Sequence, residues 1–201
     1  MVEPPHEDAM TRVSGLFVLA ALAGFAATAV IAQAGVDPAL LAKANAGDAA
    51  SQVAVGASYA QTAGSTQDRD DAAEAWKQSA AWYAKAAAQN YTPGEIRLAE
   101  AYSYGHGVER DPAKAAGYYR KAADQGDVGA QGTLAMLYTM GQGVPQSDVD
   151  AYFWFDLAAA VKSPNQERYI TNRQNVGTRI TTDELEAVRE REKKWKAAHP
   201  R

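Results

Sequence analysis

The sequence contains no cysteine among its 201 residues and only three histidines, His6, His106 and His199. The first absence excludes disulfides, thiolate metal sites and cysteine nucleophiles. The histidines lie too far apart along the chain to give the spacing of a zinc site. Metalloprotease, serine-hydrolase and phosphate-loop motifs are also missing. We therefore expect neither a metal or cofactor nor catalysis.

No large excess of charge of one sign is present either. The formal net charge is -4, and acidic and basic residues alternate along the chain. A nucleic-acid-binding protein is expected to carry a basic patch or stripe, and none is visible. With 47% hydrophobic and 22% charged residues, the composition is typical of a folded globular protein.

The N-terminal region, residues 1–34, is predicted to be a signal peptide. Val13–Ile31 contains no charged residue, and Ala32-Gln33-Ala34 suits cleavage before Gly35. Translation from Met10 would remove the acidic residues that precede the apolar run. We expect a periplasmic protein. The alternative is an uncleaved inner-membrane anchor facing the periplasm, since 19 apolar residues can span about 30 Å of hydrocarbon.

The rest of the chain is organised by a repeat of 36 residues. Gly105-His106-Gly107 recurs as Gly141-Gln142-Gly143, and the aromatic pair Tyr118-Tyr119 recurs as Trp154-Phe155. Counting backwards by 36 from Tyr118 reaches another aromatic pair, Trp82-Tyr83. A fixed period of 20 to 50 residues indicates stacked structural repeats. The pattern predicts an all-α fold, a right-handed α/α solenoid of about three helix-turn-helix repeats.

The predicted organisation has capping elements at both ends of the repeats. The first repeat lacks the Gly-x-Gly turn and has seven additional residues before its aromatic pair, which we interpret as a loop insertion at 63–70. We expect its second helix to begin near Asp71. The segments are an N-terminal half-repeat at 35–48, repeats at 49–90, 91–127 and 128–162, and C-terminal capping helices at 163–201.

Several helix starts are marked by capping residues. Asp37-Pro38 and Asp111-Pro112 place aspartate at the N-cap and proline at the first helical position. Ser147 occupies the equivalent N-cap of the third repeat. The pairs Ser163/Gln166 and Thr181/Glu184 are predicted to form capping boxes for the two closing helices.

The segment from Gly94 to Gly126 resembles the Sel1-like repeat family, which is related to the tetratricopeptide repeats. The resemblance depends on the tyrosine, the Gly-x-Gly-Val turn, the aromatic pair and the twin alanines at fixed spacing, and residues 130–159 repeat it. It implies a solenoid of bacterial periplasmic type. It also implies a protein partner, such as an envelope protein or the periplasmic domain of a sensor kinase.

A candidate partner-binding surface follows from the same register. The aromatic pairs are expected to pack in the core. Residues on the opposite side of each first helix would then face a groove suited to a helix or an extended peptide. We call this surface the first-helix face; its residues are Gln61, Ile96, Glu100, Ser103, Tyr104, Met136, Thr139 and Met140. Alternatively, Met136 and Met140 pack between adjacent repeats.

The expected function is that of a non-catalytic scaffold or regulatory adaptor in the bacterial cell envelope. Two alternatives remain open. One is an envelope enzyme acting on cell-wall glycan or a β-lactam. The other is a structural spacer anchored to the membrane by an uncleaved N-terminus.

Overall fold

The computed structural model describes residues 35–199, and the predicted signal segment at 1–34 lies outside them. This part of the chain folds into helices joined by short turns, without strands. None of its helices is long and apolar enough to cross a bilayer. The helices are α1 Pro38–Asn45, α2 Ala49–Ser65, α3 Arg69–Ala87, α4 Thr92–Tyr104, α5 Pro112–Asp124, α6 Val128–Met140, α7 Asp148–Ala159, α8 Gln166–Gly177 and α9 Thr182–Ala198.

The helices stack in chain order, as the repeat period predicts. The pairs α2/α3, α4/α5 and α6/α7 are the helical hairpins, and each hairpin packs on the next one. The first helices α2 and α4 also contact each other, and α9 folds back onto α7. The observed fold is therefore an all-α solenoid.

The aromatic pairs lie in the core, as predicted, except that Tyr118 is only partly buried against it. Trp154 and Phe155 are each 1% exposed, and Trp82, Tyr83 and Tyr119 are also buried. The largest hydrophobic cluster extends from α4 to α9. Both helices of a hairpin supply large buried side chains, such as Leu134 and Tyr138 beside Trp154, and buried alanines on both helices allow close approach.

Most of the predicted caps are present. The carboxylate of Asp111 accepts a hydrogen bond from the Lys114 amide at 3.0 Å, and the Ser147 hydroxyl accepts one from the Asp150 amide at 3.1 Å. Asp37 caps α1, and Thr181 and Glu184 form a reciprocal capping box at α9. These caps satisfy amide groups that would otherwise lack partners at the helix starts.

The prediction of a loop insertion at 63–70 is wrong. Helix α2 continues to Ser65, and α3 begins at Arg69 rather than near Asp71, so the additional residues lengthen the two helices. Asp68 caps α3 by accepting hydrogen bonds from the amides of Asp70 and Asp71. Repeat 1 thus has helices of 17 and 19 residues, against 13 and 13 in repeat 2.

The predicted capping box at Ser163 is also wrong. Helix α8 begins at Gln166, and its N-cap residue Asn165 makes no side-chain capping bond. The Gln166 side chain instead donates to the carbonyl of Ala159 at 3.0 Å. Gln166 therefore donates a hydrogen bond to the last turn of α7 and does not cap the first turn of its own helix.

The fourth residue of each first helix forms a buried polar connection between repeats. Gln52 and Gln131 donate to the carbonyls of Ala44 and Ala123, each eight residues earlier, at 3.1 and 3.2 Å. Gln52 also accepts from Gln89 at 2.9 Å. The equivalent residue of repeat 2 is Glu95, which is fully buried. An ionised carboxylate accepts hydrogen bonds only, so it cannot donate to a carbonyl as these glutamines do.

Glu95 is therefore held in an environment that favours its protonated form. It accepts one hydrogen bond, from Gln125 at 2.6 Å, while its Oε1 has no partner. Burial raises the pKa of Glu95, and the positive charge of Lys121 opposes that shift. A raised pKa in the folded state means that this carboxyl stabilises the protein less as the pH rises.

We predict that Glu95→Gln raises the free energy of unfolding at pH 7 by about 1 kcal/mol, because the amide can both donate and accept. The matched reverse change, Gln131→Glu, should lower it by about 1 to 3 kcal/mol. Urea unfolding of both variants at pH 5 and pH 8 measures the effect. Equal stability of Glu95→Gln and the parent at pH 8 would contradict this account.

Candidate protein-binding face

The first-helix face is held in place by the Gly-x-Gly turns. Gly105 and Gly141 end α4 and α6 in the left-handed conformation, with φ of 77° and 67°. A Cβ added to Gly107 would overlap the carbonyl group of Trp76, and one added to Gly143 would overlap that of Pro112. The second glycine of each turn thus lets the turn dock on the backbone of the preceding second helix.

The large exposed apolar side chains of residues 35–199 all belong to this face. Tyr104 is 70% exposed, Met136 39% and Met140 49%. Met136 and Met140 therefore combine the two predicted roles, since each is partly covered beside α7 and α8 and partly exposed on this face. Exposed apolar groups that cluster on one surface indicate a binding site more strongly than isolated ones.

The other predicted residues differ in their surroundings. Ile96 packs against the large core cluster, so it contributes to the fold as well as to the surface. The hydroxyls of Ser103 and Thr139 donate to the carbonyls of Ala99 and Ala135, at 2.9 Å in both cases. Gln61 is exposed on α2.

Glu100 and Tyr104 line a cavity of about 200 Å³ between α2, α3 and α4. His106 stacks on Trp76 with ring centroids 4.0 Å apart, and Tyr104 stacks on His106 at 5.6 Å. Arg97 and Glu100 form an ion pair of 2.9 Å at the same cavity. This cavity is therefore both aromatic and charged.

Met136, Thr139 and Met140 line a second cavity, of about 210 Å³, between α6, α7 and α8. Phe155 and Val176, both buried, complete its apolar lining. Besides Thr139, its polar side chains are Asn172 and Asn175 of α8 and Arg179, which lies two residues beyond the end of α8. We call this space the methionine cavity.

The two cavities occupy equivalent places in layers of the solenoid that are two repeats apart. Tyr83 lines the first and Phe155 the second, and the two residues are the second members of their aromatic pairs. Four lining residues with the same spacing follow in both cavities. They are Arg97, Glu100, Ala101 and Tyr104 of α4 in one, and Asn172, Asn175 and Val176 of α8 with Arg179 just beyond its end in the other. Helix α8 thus takes the place of a first helix, although it lacks the repeat motif.

Two of the three first helices that form the face are uncharged. Helices α2 and α6 contain no charged residue. The only charged residue at the methionine cavity is Arg179, which donates to both carboxylate oxygens of Asp148, at 2.5 and 2.8 Å. Hydrogen bonds from Arg179 lower the pKa of Asp148, so this ion pair persists at neutral pH.

Some cavity residues were not identified from the sequence. The repeat register gives no reason to place Trp76 at a cavity, and it identifies His106 only as the middle residue of a Gly-x-Gly turn. The side chains of α8 were missed because the motif ends with α7. Their spacing of three, four and seven residues was the available signal, since it equals the spacing in α4.

A search of curated proteins gives no match. The family model described as Sel1 repeat matches residues 92–127 and 130–161. A protective antigen of uropathogenic Escherichia coli, described as displaying an SLR fold, has a similar structure. Its TM-score is 0.55 at 24% sequence identity, over 77% of this chain and 39% of the antigen.

A Sel1 repeat protein from Oxalobacter formigenes is also similar, with 28% identity, a TM-score of 0.49, and coverage of 57% of this chain and 44% of the other. The chain therefore spans about two-fifths of the length of these two proteins. The repeat match and the stacked helical hairpins agree with each other. The chain accordingly contains Sel1 repeats at residues 92–127 and 130–161, and the described residues fold as an all-α solenoid.

Proposed function

We propose that the protein is a non-catalytic adaptor that binds a peptide or helix of a partner protein along the first-helix face. Sel1 repeats generally form protein-interaction scaffolds. The observation that carries the proposal is the position of Tyr104, Met136 and Met140. These large exposed apolar side chains belong to the face that the repeat register selects, with Tyr104 at the end of α4 and Met140 at the equivalent end of α6.

The chemistry of the face suits such a partner. Methionine and tyrosine are enriched in the buried centres of protein interfaces, whereas lysine, glutamate and aspartate are depleted there. Methionine side chains adapt to different contact shapes because they are unbranched and flexible. The absence of charge on α2 and α6 lowers the cost of removing water from this surface.

The partner that we propose is an envelope protein or the periplasmic domain of a sensor kinase. This part of the proposal rests on the apolar segment Val13–Ile31 and on the resemblance to periplasmic Sel1-like proteins. Under this proposal, the mature protein begins at Gly35 and is recovered from the soluble periplasm. Recovery with the inner membrane would favour an uncleaved anchor instead.

The test compares partner capture by the parent protein and by two double variants. Glu100→Arg with Met136→Asp changes the first-helix face, and capture from a native envelope extract should fall at least tenfold. A hot-spot residue at the centre of an interface contributes about 2 kcal/mol or more. Partner recovery is quantified by mass spectrometry.

The matched control is Glu186→Arg with Ala113→Asp, which makes the same charge changes at exposed positions of α9 and α5. It should retain capture. Circular dichroism and the unfolding temperature of both variants establish that the fold persists. Undiminished capture by the face variant would show that the partner binds elsewhere.

A further inference from the structure

We infer that the methionine cavity receives an aromatic side chain the size of phenylalanine, presented by an uncharged segment of the partner. This inference rests on the proposed function and specifies which partner chemistry the face selects. It follows from the volume, the lining and the charge of the cavity.

The volume fits one aromatic ring. The methionine cavity holds about 210 Å³. An apolar protein cavity of about 150 Å³ is large enough to bind benzene. The remaining space accommodates the methylene that joins a phenylalanine ring to the main chain, which leaves through the open side of the cavity.

The lining favours an aromatic ring over an aliphatic side chain. Met136 and Met140 border the cavity from α6, and Phe155 borders it from α7. Methionine sulfur makes favourable contacts with ring edges, whereas the buried Phe155 forms the floor of the cavity. Because both methionines are partly exposed, they can move to close over an inserted ring.

The electrostatic surroundings of the cavity favour an uncharged side chain. Arg179, the only charged residue at the cavity, is engaged by both oxygens of Asp148. A cationic side chain would meet no free carboxylate, and an anionic one would have to compete with Asp148 for the guanidinium. A charged group without a partner is costly to desolvate, so the cavity disfavours both.

The rim supplies groups for the main chain of the partner. Asn172 and Asn175 lie on successive turns of α8 beside the cavity. Each side-chain amide has two donor hydrogens and an acceptor oxygen, so it can pair with both groups of a peptide unit. These amides would hold the segment on either side of the inserted ring.

The equivalent cavity between α2, α3 and α4 lacks this selectivity. Its following helix places Arg97 and Glu100 where α8 places Asn172 and Asn175. His106 and Trp76 stack there as well. We therefore expect the aromatic side chain to bind in the methionine cavity and not in the equivalent cavity, although their lining residues have the same spacing.

The experiment uses methionine methyl NMR on the full chain. Of its four methionines, two lie at the cavity, so labelled Met136 and Met140 methyl groups report on it directly. The probe is N-acetyl-L-phenylalaninamide, and the lysine and glutamate analogues serve as controls. We expect saturable shifts of both signals with a dissociation constant on the order of 1 mM, typical for a ligand of this size. The charged analogues should cause no saturable shift.

Two variants locate the binding. Met140→Lys, at an exposed position, should weaken phenylalaninamide binding at least tenfold as read from Met136. Tyr104→Lys at the equivalent cavity should leave it unchanged. Absence of probe shifts, or equal shifts with a charged analogue, would overturn the inference.

A second copy of this chain is the other possible occupant. Methyl shifts that depend on protein concentration without any probe, together with a dimer in sedimentation, would assign the cavity to that copy and overturn the inference. These outcomes are distinct from a failure of the proposed function. If Glu100→Arg with Met136→Asp reduces partner capture but the phenylalanine probe does not bind, only the inference about the aromatic ring is rejected, and the proposed function stands.

Discussion

Replacing Gly143 with alanine is expected to lower the free energy of unfolding by about 3 kcal/mol or more. Two costs combine at this position. Its φ of 72° is left-handed, which costs a residue with a Cβ about 1 to 2 kcal/mol. The added methyl would also overlap the carbonyl group of Pro112. Backbone cannot move aside as a flexible side chain can, and such overpacking costs about 1 to 3 kcal/mol.

The matched control is Gly141→Ala in the same turn. Gly141 has a similar φ of 67°, but the nearest atom to its added Cβ would be Gln146 Cβ at 3.3 Å. Only the conformational cost applies there, so we expect a loss of about 1 kcal/mol. Urea unfolding of both variants gives the difference. Equal losses at the two glycines would show that the turn does not dock tightly on α5.

The free energy of unfolding is also expected to fall by up to about 3 kcal/mol between pH 4.5 and pH 7 because of Glu192. Each unit by which folding shifts a pKa corresponds to about 1.4 kcal/mol. Burial raises the pKa of Glu192 from its usual value of 4.5 to about 7, and the neighbouring Asp156 adds to this shift. Lys196, 3.5 Å from the carboxylate, opposes it, and Arg173 pairs with Asp156 at 2.5 Å. The cluster joins α9 to α7.

The sign follows from proton binding. Between pH 4.5 and pH 7 the folded protein keeps the proton of Glu192 while the unfolded chain releases it. Folding is therefore favoured at the acidic end of this window, and the contribution is lost as the pH rises through 7. A protonated Glu192 can donate to Asp156, whereas two carboxylates at this position repel each other.

Glu192→Gln should remove this pH dependence, because an amide donates to Asp156 at any pH. Above pH 7 the variant should be more stable than the parent by about 2 to 3 kcal/mol. Glu190→Gln, an exposed change on the same helix, serves as the control and should follow the parent. Thermal unfolding from pH 4.5 to pH 8.5 measures the profiles. Parallel profiles for the parent and Glu192→Gln would contradict the assignment.

Much of the fold was predictable because its signals are local. Asp111 and Ser147 act as N-caps through their own side chains and the next turn, so neither depends on tertiary contacts. The aromatic pairs reveal the core because they recur in register. The same register selected Met136 and Met140 as surface residues, since they lie opposite the buried Leu134 and Ala135.

The remaining features depend on packing between elements. The sequence predicts a loop at 63–70 because the repeat pattern has no counterpart for these residues. In the structure most of them belong to α2 and α3, which are four and six residues longer than α4 and α5. Gln166 pairs with Ala159 of the preceding helix rather than with its own first turn. The methionine cavity needs α8, and no repeat motif indicates that α8 continues the stack.

Site-specific photocrosslinking in the native envelope tests most directly whether the first-helix face is where the protein binds its partner. A benzophenone amino acid replaces Tyr104 or Met140 on that face, and Ala113 or Glu186 on the outer surface. The account predicts that a single partner protein is crosslinked from Tyr104 and Met140 and not from Ala113 or Glu186. Crosslinking from the outer positions alone would contradict it.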